Sequence, residues 1–195
     1  DIRLNLDVLS SCRTEIRTVC KGEPFGEARM LNCLWEKAFG STAQNFGLEC
    51  MGKVEQLTVR SVQDYRLDFR VRTRCDKDIK NICASQKAHV DNLTVTELFG
   101  GNTGFLDGVS GLVIRCLKTN YTKIKGELCK NELKRIVRTQ SMHVTANPSL
   151  YRVCTNDILR KCPGVEPERM HLCLRKNMAT LSDGCREAEV LQGSL

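Results

Sequence analysis

The side chains in this 195-residue sequence that could carry chemistry are three histidines, His89, His143 and His171, and twelve cysteines. An enzyme needs a convergent set of acids, bases or nucleophiles. His171 lies two residues from Cys173, which suggests an imidazole–thiol nucleophile. Yet Cys173 has counterparts in Cys33 and Cys116, and Leu31 and Ile114 stand where His171 does. Dithiol redox chemistry lacks a Cys-x-x-Cys, and structural zinc wants cysteines two to four residues apart, closer than any recurring pair here. The glycines from Gly100 to Gly111 match neither a dinucleotide nor a P-loop spacing. Glu15, Asp78 and Asp157 recur at one register position, but one carboxylate per repeat is too few for calcium. Each is expected to pair with a nearby base on a helix surface. The expectation is therefore no catalytic residue, no metal and no cofactor.

The cysteines themselves set the organisation. They fall at 12, 20, 33, 50, then 75, 83, 116, 129, then 154, 162, 173, 185. Each group of four opens with seven intervening residues, and 24 residues separate each group from the next. Only the interior gaps vary, as loops do. A chain this long could bury a core without covalent help. Its cysteines therefore point to small tandem modules stapled in an oxidising compartment.

Aligning on the first cysteine of each group shows the elements that must position these residues. Asn5, Asp68 and Asn147 stand seven residues earlier as N-caps, with Pro148 suited to a first helical position. Val71, Cys75, Ile79, Ile82 and Leu150, Cys154, Ile158, Cys162 step by three or four, which predicts an opening helix of about four turns. The third cysteine is followed by Leu34, Leu117 or Leu174. After a weak break (Gly40-Ser41, Lys125-Gly126 or Ser182-Asp183-Gly184) the fourth opens another helical face, Cys50, Val54, Leu57 or Cys129, Leu133, Ile136. The fold expected is all-α: disulfide-stapled three-helix repeats stacked end to end, at 1–67, 68–146 and 147–195. Four cysteines allow three pairings in each repeat. If the first two helices form an antiparallel hairpin, the pairs nest as 12–50 with 20–33, 75–129 with 83–116, and 154–185 with 162–173.

The unit cap-x2-Val/Leu-x3-Cys-x2-Asp/Glu-Ile-x3-Cys, followed by Cys-Leu and a fourth cysteine, resembles the cysteine-rich repeat of the Golgi apparatus protein 1 family. Asp64-Tyr65-Arg66-Leu67 through Cys75-Asp76-Lys77-Asp78-Ile79-Lys80-Asn81-Ile82-Cys83 carries the likeness most clearly. The resemblance implies a luminal or extracellular array of such repeats with one membrane helix elsewhere in the chain. It also implies ligands such as fibroblast growth factors, other secreted growth factors or selectins, and a place in the Golgi lumen, secretory pathway or cell surface. One departure is the long insertion at 84–115. It holds Gly100, Gly101, Gly104, Gly108 and Gly111, and the apolar Val90, Leu93, Val95, Leu98, Phe99, Phe105 and Leu106. Either these fold back onto the helices, the reading expected first, or they form a partner site specific to this repeat.

Charge is uneven. Residues 1–74 carry a net +2 and 75–153 a net +5, while 154–195 balance, making the total +7. Lys130, Lys134 and Arg138 step by four along one helix face, near Lys118, Lys123, Lys125 and Arg135 in sequence. Such a stripe suits a sulfated glycan, an acidic partner or anionic lipid through long-range attraction. Nucleic acid is not expected, because single-strand readers add aromatic platforms and only ten residues here are aromatic. No apolar run is long enough to insert into a membrane, and the N-terminus lacks signal-peptide architecture, so the chain reads as the soluble part of a mature secretory protein. Asn92 and Asn120 open glycosylation sequons. The function expected is a non-enzymatic binding module for a secreted protein or sulfated glycan. The alternative is a structural spacer or adhesion array of a cell-surface or parasite-type ectodomain without a soluble ligand.

Overall fold

The computed structural model describes residues 2–39, 46–93 and 111–194. The protein is all-α, with no strand among the described residues, and its helices are joined by six disulfides. In the first unit, α1 (Leu6–Ser11) and α2 (Arg13–Thr18) lead to α3 (Arg29–Phe39) and the long α4 (Leu48–Gln63). The second has α5 (Phe69–Arg74), α6 (Asp76–Ile82), α7 (Ala84–Asp91), α8 (Leu112–Thr119) and α9 (Glu127–Met142). The third has α10 (Pro148–Lys161), α11 (Met170–Lys176) and α12 (Asp183–Gly193). Short 3-10 turns at Ile2–Leu4 and Val144–Ala146 precede the opening helices of the first and third units.

Local chemistry explains each start. Asn5 accepts the Val8 N–H at 3.1 Å, Asp68 accepts those of Arg70 and Val71, and Asn147 accepts that of Leu150 at 3.2 Å. Each satisfies donors that the first turn leaves unpaired. The opening helix is unbroken only in the third unit. In the first two it bends at its first cysteine, where ψ moves to 15° at Cys12 and 2° at Cys75. The ladder still runs through the bend, with Ile16 N–H on the Cys12 carbonyl at 2.9 Å and Ile79 N–H on that of Cys75 at 2.8 Å.

The bridges run Cys12–Cys50, Cys20–Cys33, Cys75–Cys129, Cys83–Cys116, Cys154–Cys185 and Cys162–Cys173. In every unit one bridge fastens the opening helix to the third, and the other closes the first hairpin. Three apolar cores form around them. Val8, Met30, Leu34, Trp35 and Val54 fill the first; Val71, Ile79, Leu117, Leu133 and Ile136 the second; Leu150, Met170, Leu174 and Leu181 the third.

The 84–115 insertion is less of a loop than its glycines suggest. Ala84, Gln86, Lys87 and Ala88 are good helix formers and build α7, and the start of α8 at Leu112 returns the chain to Cys116. Val90 is buried in the second core and Leu93 packs against it. The expectations for Val95, Leu98, Phe99, Phe105, Leu106 and Gly100 to Gly108 fall outside the described residues, as does the break at Gly40-Ser41. Among the described residues no helix is long and apolar enough to cross a membrane.

Candidate functional site

The recurring acids do something other than pair with bases. Glu15 accepts the Gly47 N–H at 2.9 Å. Asp78 accepts those of Lys125 and Gly126 at 3.1 and 3.3 Å. Asp157 takes the N–H of Ser182 at 3.3 Å and its hydroxyl at 2.6 Å. Gly47, Gly126 and Ser182 are the N-caps of α4, α9 and α12, and none caps its helix with its own side chain. The acid of the opening helix supplies the missing acceptor and sits at the positive end of the helix dipole. All three acids are buried, so they are parts of the frame and not surface ion-pair partners.

The imidazole–thiol pair does not exist. Cys173 is bonded to Cys162 and has no thiol to offer. His171 is buried instead at the junction of the second and third units. Its Nδ1 lies 2.8 Å from Glu189 Oε2 and its Nε2 2.8 Å from the Gln140 carbonyl. Arg175 Nε donates to the other Glu189 oxygen at 2.8 Å. Beside this set the Lys118 ammonium donates to Gln140 Oε1 at 3.1 Å and Gln192 Oε1 at 2.6 Å, and Asn147 Nδ2 donates to Gln192 Oε1 at 3.0 Å. Burial pushes the Lys118 amine down to about 8, partly offset by the charge of Glu189.

The sequence reading misses this polar junction, although a signal for it exists. Counting from the fourth cysteine, Val54 and Leu133 correspond to Glu189, while Leu57 and Ile136 correspond to Gln192. Two core positions of the third helix turn polar in one unit only, and both face the neighbouring unit.

A second charged cluster lies within the second unit, beside its junction with the first. Glu132 is fully buried and receives Arg70 Nε at 2.9 Å, Arg135 Nε at 2.8 Å and Arg74; Arg135 also binds Asp68. Burial alone would raise the Glu132 carboxyl, but the hydrogen bonds and charges of Arg135 and Arg70 outweigh it and hold the group below the usual carboxylate range. Alongside lies a groove of about 670 Å³ lined by Glu23, Glu27, Arg29, Phe69, Arg70 and Arg74. It adjoins a small recess walled by Leu31, Trp35, Leu67 and Phe69. The junction thus offers aromatic and aliphatic surface under a rim of both charge signs.

The predicted basic stripe is only partly open. Lys134 is exposed on α9, Lys130 stands 4.0 Å from Glu127, and Arg138 reaches Glu36 of the first unit at 3.4 Å. Asn92 is exposed at the end of α7. Asn120 is half-buried and donates its Nδ2 to the Cys116 carbonyl at 3.0 Å, as Asn177 does to Cys173 in the third unit.

Comparison with known proteins agrees with this architecture. The family model described as a cysteine rich repeat matches residues 1–42, 48–125 and 127–182. The chain belongs to that family. Its relatives include Golgi apparatus protein 1 of Rattus norvegicus, 27% identical over 176 residues, which are 87% of this chain and 13% of the relative. Golgi apparatus protein 1 of Gallus gallus is 26% identical over the same length, covering 87% of this chain and 14% of its own. The Caenorhabditis elegans homolog is 24% identical over 193 residues, covering 89% of this chain and 15% of its own. The chain therefore spans about one seventh of the length of these relatives. No solved structure matches it.

Proposed function

We propose that this chain is a non-enzymatic binding module of a Golgi apparatus protein 1-like glycoprotein, lying in the Golgi lumen or elsewhere in the secretory pathway. Its ligands are secreted growth factors or other secreted proteins, or sulfated glycans. Units bounded at 1–67, 68–146 and 147–195 suit this reading, because each of the six bridges closes inside one of them. Asn92 and Asn120 are the proposed glycan acceptors, and a glycosylated Asn120 would keep one N–H for the Cys116 carbonyl.

The observation that carries the proposal is the groove at the first junction. Aromatic anchors beside arginines are the composition that protein interfaces favour. Phe69 and Leu67 supply the apolar part over the buried Trp35, and Arg29 is half-exposed with Glu27 beside it, at 3.6 Å. Lys130, Lys134 and Arg138 extend positive charge along α9 and form the proposed contact for a sulfated chain.

Two titrations on the immobilised protein test this. A fibroblast growth factor is the protein probe and heparin the glycan probe. Saturable growth-factor binding that Arg29→Glu weakens at least tenfold supports the groove. Heparin retention at rising salt that a Lys130/Lys134/Arg138 charge reversal abolishes supports the stripe. Failure of both probes leaves the spacer reading, in which the array only sets distance.

A further inference from the structure

We propose that Glu55, His143 and Glu168 form a divalent metal site of the zinc class, which clips all three units together. The residues come from different places in the chain. Glu55 projects from α4 of the first unit, His143 ends α9 of the second, and Glu168 lies on the 3-10 turn Pro167–Arg169 of the third. One imidazole nitrogen and two carboxylate oxygens lie within 4.8 Å of one another, with His143 Nε2 3.8 Å from Glu168 Oε1.

The histidine is already aimed. Its Nδ1 is 2.6 Å from Thr145 Oγ1, and in the tautomer whose Nδ1–H donates to that hydroxyl, Nε2 keeps its lone pair toward the carboxylates. A hydroxyl or carbonyl on the far nitrogen is how metal-binding imidazoles are held in orientation and tautomer. The backbone is held too, because Gln63 Nε2 donates to the Thr145 carbonyl at 2.8 Å and ties α4 to the segment after His143.

Donor type selects the ion. One imidazole with two carboxylates suits zinc and its transition-metal neighbours, whereas calcium wants six or more oxygens. Zinc bonds of about 2.0–2.2 Å place tetrahedral ligands about 3.4 Å apart, so the three atoms must close by about 1 Å. Glu168 is the arm free to do so, since its side chain is 57% exposed while that of His143 is 18% exposed. The adjoining groove of about 820 Å³, which His143 and Thr145 help to line, leaves room for water at the fourth position.

Isothermal titration of the oxidised protein with zinc chloride, with calcium chloride as comparator, decides the matter. The expected result is one equivalent of zinc bound, no calcium at the same concentration, and a melting temperature raised by the metal. Glu168→Gln and His143→Gln should each weaken zinc at least tenfold. Glu168→Gln alters an exposed side chain, so its unchanged melting temperature without metal separates lost ligation from lost fold. No zinc uptake by the parent protein, or uptake that both variants retain, overturns the site.

Discussion

Asp78 accepts the backbone N–H of Gly126 at 3.3 Å, and a Cβ added to that glycine would stand only 2.8 Å from the same carboxylate oxygen. The carboxylate therefore occupies the space that a side chain at the cap of α9 would need. Asp78→Ala should cost about 2 kcal/mol, since it strands two amides, and Gly126→Ala about 1 kcal/mol. In the Asp78→Ala background the glycine substitution should be nearly neutral, because its obstacle is gone. Gly52→Ala, inside α4 with nothing within 4 Å, should stabilise by up to about 1 kcal/mol. Unfolding midpoints without reductant measure all four.

Glu189→Leu restores the residue type that Val54 and Leu133 represent in the other units, yet it should destabilise by about 3 kcal/mol. The reason is that His171 and Arg175 both end on this carboxylate. A leucine leaves two buried or half-buried donors without an acceptor. Thermal unfolding at neutral pH tests this, and an unchanged midpoint would show that the network contributes nothing.

Lys118 gives a pH signature with a definite sign. Its folded pKa of about 8 lies below the unfolded value of 10.5, so between those values the unfolded chain holds more protons. The cost of burying the charged amine is fully present below pH 8 and fades as pH rises. Stability should therefore climb from pH 8 to 10, by at most about 3 kcal/mol. Above 10 the opposite trend enters, because burial and Asp91 keep the Tyr65 phenol protonated in the fold. Lys118→Met should flatten the slope between pH 8 and 10 in denaturant titrations.

The bridges should differ in worth according to the chain they close. Replacing Cys75 and Cys129 together by serine opens a separation of 54 residues, against 11 for Cys162 and Cys173. On the chain-entropy account the first pair should cost about 1 kcal/mol more, on a base of about 3 kcal/mol. Comparing the two double variants by thermal unfolding reads the difference.

What is legible in the sequence is local or periodic. The caps Asn5, Asp68 and Asn147 act on amides two or three residues away, and the helical faces announce themselves at steps of three and four. The register of Glu15, Asp78 and Asp157 is equally visible, but their partners are 32, 48 and 25 residues distant. Nothing in the acids themselves distinguishes a backbone acceptor from a surface ion pair. α7 is obscured because gap length argues for a loop more loudly than Ala84, Gln86 and Ala88 argue for a helix. Arg138 reads as part of a solvated stripe until the first unit places Glu36 against it.

The exchange of Val54 and Leu133 for Glu189 in the third unit has a further consequence. Glu189 is held within its own unit by Arg175 and His171, but the second nitrogen of His171 meets a carbonyl of the preceding unit, and Gln192 accepts from Lys118 there too. A unit carrying such a helix cannot be moved to another place in the chain without leaving His171 and Gln192 without these partners. Recombination that shuffled these repeats would be penalised at this joint, so the order of the array is written into its buried polar residues.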